Sequence, residues 1–260
     1  MEDKELKDKW EKTQLYWDDT DFLNKKANSL MKKRWEKLNQ RIFKIIAEEV
    51  LNKKEYIYFL DVGAGRGDFY KYIKDLIKKY VGIEPSFKML EYEIKEEDFE
   101  LRRGTGEEFS DKNLYDICLI KEVLDHCYSP EKVIKNVYDA LKENGLIIIT
   151  LTNKDAYYKL LFKKIAKKIE EKNVDHLYNF NSKEVEDILS KKNFKIEKII
   201  STNYLRLPYF LEDFIGKLPE NFVFFILEFI DKIGRFFLNG KGGSFIILGR
   251  KTDEKNEDRY

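Results

Sequence analysis

The stretch Phe59-Leu60-Asp61-Val62-Gly63-Ala64-Gly65-Arg66-Gly67-Asp68-Phe69 decides the fold. The run leading into it, Tyr56–Leu60, is aromatic and β-branched and reads as a buried strand. Three alternate glycines follow, and then a helix is expected over Asp68–Lys79. Glycine suits backbone that must take left-handed angles or approach a ligand closely. A helix start behind such a turn offers free N–H groups and the positive end of the helix dipole. The spacing here is GxGxG, which differs from the GxGxxG that seats a pyrophosphate on a helix start. Asp61, at the strand end, would repel a pyrophosphate and suits a ligand that carries an amine or hydroxyls.

Outward from the loop, strand and helix alternate. A second strand over Tyr80–Ile83 ends in Glu84-Pro85, and Ser86 reads as the N-cap of a helix reaching about Ile94. Glu84 lies 17 residues beyond Gly67, at a position that faces the ligand crevice in parallel sheets and can accept both hydroxyls of a ribose. Strands are expected at Phe99–Arg102 and Asp116–Ile120. Ser129-Pro130 then opens a helix, with Ser129 as cap, that stops near Asn144-Gly145. Leu146–Thr150 (LIIIT) is a fifth strand. Short apolar runs alternating with helices imply a parallel sheet covered on both faces. Further on, a Lys-rich helix is expected over Asp155–Lys172 and a helix over Ser182–Lys191 capped by Ser182. Strands are expected at Phe194–Ile200 and Ser244–Leu248. The fold class is therefore α/β: a Rossmann-like, doubly wound, seven-stranded, mostly parallel sheet.

Two segments stand outside that alternation. Residues 1–55 read as an N-terminal helical cap, in which Leu30, Met31, Arg34, Trp35, Leu38, Ile42, Ile45, Ile46 and Glu49 fall near helical spacing. Residues 56–260 form the main domain, with a helical insertion at about 203–241 before the last strand. The insertion contains NFVFFILEFIDKIGRFFL, in which Glu228, Asp231, Lys232 and Arg235 share one face and the rest is a wide apolar stripe. It reads as a hydrophobic cover over an acceptor pocket, with ordinary packing, a dimer contact or peripheral membrane contact as the other readings.

Composition narrows the function classes. The 260 residues carry 49 Lys plus Arg and 48 Asp plus Glu, for a net charge of +1, so no global electrostatic grip on nucleic acid is expected. Aromatic residues at 15% argue for a folded core. Two cysteines, Cys118 and Cys127, do not make a disulfide scaffold, no CxxC pair suggests zinc, and no residue is assigned to a metal. There is no apolar run of about 18 residues and no signal peptide, so a cytoplasmic protein without a transmembrane segment is expected.

Taken together, these motifs resemble the class I S-adenosylmethionine-dependent methyltransferases, most of all the small-molecule and lipid branch called type 11. Leu60–Gly67 (LDVGAGRG) matches the first motif of that family and Val81–Ser86 (VGIEPS) the second. Tyr115–Pro130 resembles the fourth-strand segment, Val133–Thr150 the helix and strand that follow, and His176–Ser182 a segment before the sixth strand. The resemblance implies S-adenosyl-L-methionine as cofactor. It implies that Asp61 with the backbone of Gly63, Ala64 and Gly65 holds the methionine part, and that Glu84 holds the ribose. Pro85 and Ser86 would then flank the adenine, Gly106 and Glu107 would border it, and Lys121 would lie near the methionine carboxylate and the methyl group.

Methyl transfer from a sulfonium is an in-line displacement, and a base is needed only when the nucleophile must lose a proton. His126 is the candidate base, and His176 is a second candidate on the acceptor side. Tyr16 and Trp17 are expected to line the site as part of an N-terminal lid. Asp125 and Glu122 read as surface charges and receive no role. The expected activity is methyl transfer to a small-molecule or lipid-like acceptor. The alternatives are a non-catalytic cofactor-binding module, an RNA or protein methyltransferase, and a nicotinamide-dependent oxidoreductase, which the GxGxG spacing and Asp61 oppose.

Overall fold

The computed structural model describes residues 8–12, 28–53, 56–91, 94–161, 176–207 and 209–252. After helix α1 (Ser29–Lys53) come strands β1 (Ile57–Val62), β2 (Ile77–Glu84), β3 (Phe99–Arg103), β4 (Tyr115–Lys121), β5 (Leu141–Thr152), β6 (Phe194–Thr202) and β7 (Ser244–Lys251). Interleaved with them are helices α2 (Tyr70–Ile73), α3 (Phe87–Leu90), α4 (Pro130–Ala140), α5 (Tyr157–Leu161), α6 (Ser182–Ser190), α7 (Tyr209–Gly216) and α8 (Glu220–Leu238). The seven strands form one sheet in the order β3-β2-β1-β4-β5-β7-β6. The first five pair in parallel, and β7 runs antiparallel to both β5 and β6. This is the sheet expected from the sequence.

The apolar runs have a direct cause. Ile117 and Leu119 of β4 face one cluster with Phe59, Ile42 and Ile46, while Cys118 and Ile120 face the opposite one with Leu60, Val62, Val133 and Val185. Side chains alternate across a strand, so a strand covered on both faces must be apolar throughout. Strand order reverses between β1 and β4, which opens a crevice at their carboxyl ends.

Several local expectations are corrected. The helix expected over Asp68–Lys79 is only Tyr70–Ile73 plus a 3-10 turn, because β2 already begins at Ile77. The helix expected to reach Ile94 ends at Leu90, although Ser86 does cap it, its Oγ accepting from the Met89 N–H at 3.4 Å. The helix after Pro130 ends at Ala140 rather than near Asn144. Ser129 is held instead by Glu107, whose Oε1 accepts from the Ser129 N–H at 3.1 Å, and makes no side-chain cap bond of its own among the described residues. Helix α6 is capped by Asn181, not Ser182, through a reciprocal box with Glu184. Of the Lys-rich helix, α5 is described, and 162–175 lie outside the described residues.

The two outlying segments meet each other. Leu30 of α1 joins Val223 and Leu227 of α8 in one buried cluster. Arg34 stands in the apolar stripe of α1 and is 6% exposed; its Nη2 and Nη1 donate to Glu212 of α7 at 2.7 and 3.1 Å. Lys37 and Arg41 reach Glu228 at 3.1 and 2.7 Å. Within the charged stripe of α8, Asp231 is buried and accepts from the Tyr204 N–H at 3.1 Å, while Glu228 stays exposed as it pairs with α1. The phenylalanines turn outward, the reverse of a hydrophobic cover closing over the sheet. Meanwhile Ile42 and Ile46 of the same α1 belong to the sheet core, so the core runs across the boundary expected at 55/56.

Candidate functional site

The glycine loop leaves β1 at the crevice. Gly63 has φ +73°, and a Cβ there would lie 2.3 Å from Val123 Cγ2, so glycine is required both by angle and by the close approach of the segment after β4. The Gly63 and Ala64 N–H groups both donate to the Ile83 carbonyl, at 2.8 and 3.1 Å. The Gly65 N–H donates to Glu84 Oε2 at 2.8 Å, and the Gly67 N–H to the Ala64 carbonyl at 2.9 Å. The N–H groups of Gly63, Ala64, Gly65 and Gly67 are therefore engaged within the fold, and the helix behind them is a single turn. Such a loop offers a phosphate no row of amide donors. Beside Gly65, at φ +57°, a Cβ would meet nothing within 4 Å among the described residues, so the chain borders open space there.

Asp61 ends β1 and is 3% exposed. Tyr80 Oη donates to its Oδ2 at 2.5 Å. Burial pushes the Asp61 carboxyl above its ordinary value, while the Lys121 charge and the Tyr80 hydrogen bond oppose that rise. Lys121 ends β4. Burial lowers its pKa, the Asp61 charge works the other way, and its Nζ donates to Asn39 Oδ1 of α1 at 3.1 Å. A buried acid and a half-buried lysine thus stand on neighbouring strand ends, across the point where strand order reverses.

Glu84, 8% exposed, ends β2 as expected. Its Oε2 takes the Gly65 N–H, and its Oε1 takes the Ser86 N–H at 2.9 Å. It therefore ties the glycine loop to the segment Pro85-Ser86. Gly106 lies beyond the end of β3, its carbonyl accepting from Asn136 Nδ2 at 3.1 Å, and Glu107 spends one carboxylate oxygen on Ser129.

The segment after β4 departs most from expectation. Asp125 is buried at 4% exposure, not a surface charge. Its Oδ2 lies 2.6 Å from His176 Nδ1, and its Oδ1 lies 3.7 Å from His126 Nε2. The two imidazoles stack with centroids 4.6 Å apart. Burial tends to raise the Asp125 carboxyl, but the His176 hydrogen bond and the two histidine charges bring it below its ordinary value. Glu122 takes a left-handed φ of +55°, and Thr150 Oγ1 donates to its Oε1 at 3.1 Å. Burial pushes its carboxyl up to about 7, the Asp125 charge adds to this, and the Thr150 hydrogen bond opposes it.

His126 and His176 are thus brought together, 50 residues apart in sequence. Tyr16 and Trp17 lie outside the described residues. Nearer the N-terminus, Lys9 Nζ donates to the His176 carbonyl at 2.6 Å. Cys118 and Cys127 are buried, and burial pushes both thiols well up, which agrees with a core role.

Sequence reasoning missed Tyr80, Asn39, Glu122 and Thr150. Tyr80 had a signal: Gly82 follows it on the same strand face, and a Cβ at Gly82 would lie 3.3 Å from Tyr80 Cε1. The glycine makes room chiefly for Leu101 and Ala64, which a Cβ would meet at 2.4 and 2.7 Å, and the Tyr80 ring passes beside it. Asn39 and Thr150 carried no signal, because each acts through a partner distant in the chain.

The site fits an amino-acid nucleoside without phosphates. It offers a buried carboxylate for an amine, an acid at the end of β2 for hydroxyls, and open space beside Gly65. A family model described as a methyltransferase domain matches residues 34–199. No curated protein matches the chain. Among solved structures, an S-adenosylmethionine-dependent methyltransferase of Thermotoga maritima is 19% identical with a TM-score of 0.54, over 85% of this chain and 94% of that one. One from Archaeoglobus fulgidus is 18% identical with a TM-score of 0.53, over 82% and 94%. A Haemonchus contortus phosphoethanolamine N-methyltransferase, solved with phosphomonomethylethanolamine and S-adenosylhomocysteine, is 16% identical with a TM-score of 0.53, over 76% of this chain and 49% of that one. At such identities the likeness establishes the shared fold. With the family match over residues 34–199, the sheet and the loop chemistry, the chain belongs to the methyltransferase-domain family as a class I enzyme that uses S-adenosylmethionine.

Proposed function

We propose that this methyltransferase acts on a lipid-like or apolar small-molecule acceptor. One observation carries the reading: the outward face of the insertion helices is phenylalanine. Phe222, Phe225 and Phe229 of α8 are 52, 66 and 55% exposed, Phe236 and Phe237 are 81 and 74%, and Phe210 and Phe214 of α7 are 69 and 66%. The opposite face of α8 is already buried through Val223 and Leu227. A surface helix ordinarily keeps polar groups outward, and a contiguous exposed apolar patch marks an interaction site. Among the described residues no helix is long and apolar enough to cross a membrane, so this face suits contact with an apolar assembly rather than insertion through one. The same helices are ion-paired to α1, whose Asn39 holds Lys121 at the crevice.

In this reading Asp61 receives the methionine amine, and the backbone of Gly63, Ala64 and Gly65 lines the methionine chain. Lys121 attracts its carboxylate. Glu84 accepts from the ribose hydroxyls. Pro85, Gly106 and Glu107 border the adenine. His126 and His176 lie toward the acceptor, and Tyr16 and Trp17 belong to its lid. The bound cofactor supplies an activated methyl group, and the residues here position it and exclude water.

The test is S-adenosylhomocysteine release with two fractions of a cell extract, lipids presented as vesicles and water-soluble metabolites. Release is expected with the lipid fraction. Release with the aqueous fraction alone would overturn the lipid reading.

A further inference from the structure

Asp125, His126 and His176 offer one ligand atom each, and these atoms all lie within 4.8 Å of one another. Asp125 Oδ1 is buried and accepts no hydrogen bond among the described residues, yet it lies 3.7 Å from His126 Nε2. Leaving a buried acceptor unsatisfied costs about 1–3 kcal/mol, and more when it is charged. A cation between that oxygen and the imidazoles removes the cost. In tetrahedral sites with metal–ligand distances of about 2.0–2.2 Å, ligand atoms sit about 3.4 Å apart; here Asp125 Oδ1 and His126 Nε2 are 3.7 Å apart and no pair of the three ligand atoms exceeds 4.8 Å.

The cluster is held by backbone rather than by chance rotamers. The Leu177 and Tyr178 N–H groups both donate to the Asp125 carbonyl, at 2.9 and 3.1 Å, which locks the two loops together. Asp125 and His126 belong to one 3-10 turn, Leu124–His126, directly after β4. Glu122 adds a carboxylate near enough for its charge to act with Asp125 and His176. Two imidazoles and one carboxylate form a mixed N/O donor set that favours first-row transition metals over Mg²⁺.

We propose that Asp125, His126 and His176 bind a divalent first-row transition metal at the carboxyl end of β4. Three protein ligands leave coordination open for water or for an oxygen of the acceptor. Placing the metal on the acceptor side rests on the proposed function, whereas metal binding itself does not.

The test uses the untagged full chain, freed of metal with a chelator, in calorimetric titration with Zn²⁺ and with Mg²⁺. Co²⁺ serves as an absorbance probe. One saturable Zn²⁺ site is expected, at least about 100-fold tighter than Mg²⁺, with Co²⁺ bands that Zn²⁺ displaces. Asp125→Asn, His126→Gln and His176→Gln should each weaken Zn²⁺ at least about 10-fold. His126→Gln is the safest variant, since it leaves the Asp125–His176 contact in place, and retained S-adenosylhomocysteine binding verifies its fold. Wild type that binds S-adenosylhomocysteine but takes up no stoichiometric Zn²⁺ overturns the proposal. So does Zn²⁺ binding that survives all three substitutions, or Mg²⁺ binding equally well. Metal binding without turnover of any lipid leaves this site standing and removes the lipid acceptor.

Discussion

The Tyr80 hydroxyl donates to Asp61 Oδ2 at 2.5 Å, leaning past Gly82 between adjacent parallel strands. The bond favours the ionised carboxylate against the burial that opposes it. Tyr80→Phe removes it without changing the ring. A hydrogen bond to a charged group contributes about 1.5–3 kcal/mol, so S-adenosylhomocysteine affinity is expected to fall about 10- to 100-fold by calorimetry. Because the Asp61 pKa rises further without the donor, binding in the variant should fade at a higher pH than in the wild type as the solution is acidified. An unchanged affinity and pH profile would remove Asp61 from the cofactor site.

Gly63 and Gly65 separate two costs. Gly63→Ala meets φ +73° and a Cβ only 2.3 Å from Val123 Cγ2, so a loss of about 2–5 kcal/mol in folding stability is expected from left-handed strain plus overpacking. Gly65→Ala meets only φ +57°, so about 1–2 kcal/mol is expected, while the new methyl enters the open space that the cofactor is proposed to occupy. Urea denaturation and S-adenosylhomocysteine titration on both variants should therefore rank them in opposite orders. The same ranking in both assays counts against the cradle.

The Arg34–Glu212 pair fixes the insertion helices to α1. Arg34→Met leaves a buried carboxylate unpaired and should cost about 3–5 kcal/mol, and adding Glu212→Leu should recover most of it. Burial raises the Glu212 carboxyl, but the Arg34 hydrogen bonds and charge outweigh this and hold it below its ordinary value. A depressed folded-state pKa stabilises above the unfolded value and is lost as pH falls through the folded one. The contribution of this pair is thus present above about pH 4.5 and fades in more acidic solution. Denaturation from pH 7 to 3 should show a shallower acid loss in the double variant than in the wild type.

The outward phenylalanines are expected to matter for contact and not for folding. Replacing Phe222, Phe225 and Phe229 together by Ser should change stability by no more than about 0.5 kcal/mol per site, since each is more than half exposed. Sedimentation with phospholipid vesicles should drop to background in the same variant. Equal sedimentation of variant and wild type would assign that face to another role.

The sequence by itself determined the sheet, the crevice and the cofactor class. Strands buried on both faces must be continuous apolar runs, and a turn such as Gly63–Gly67 must be glycine, so both signals are local in the chain. Asp61 and Glu84 were legible for the same reason, since a strand end before a turn fixes where its side chain stands. Tertiary structure decided the rest, because those features are contacts between distant segments. The Asp125–His126–His176 cluster joins residues 50 positions apart, and Asn39 reaches Lys121 across 82. The charged stripe of α8 was visible as a stripe, yet its direction was not. Only the partners Lys37 and Arg41 on α1, reaching Glu228 and Asp231, draw it toward α1 and leave the phenylalanines facing out. Periodicity reports that a helix has two faces, and packing against a partner decides which of them meets water.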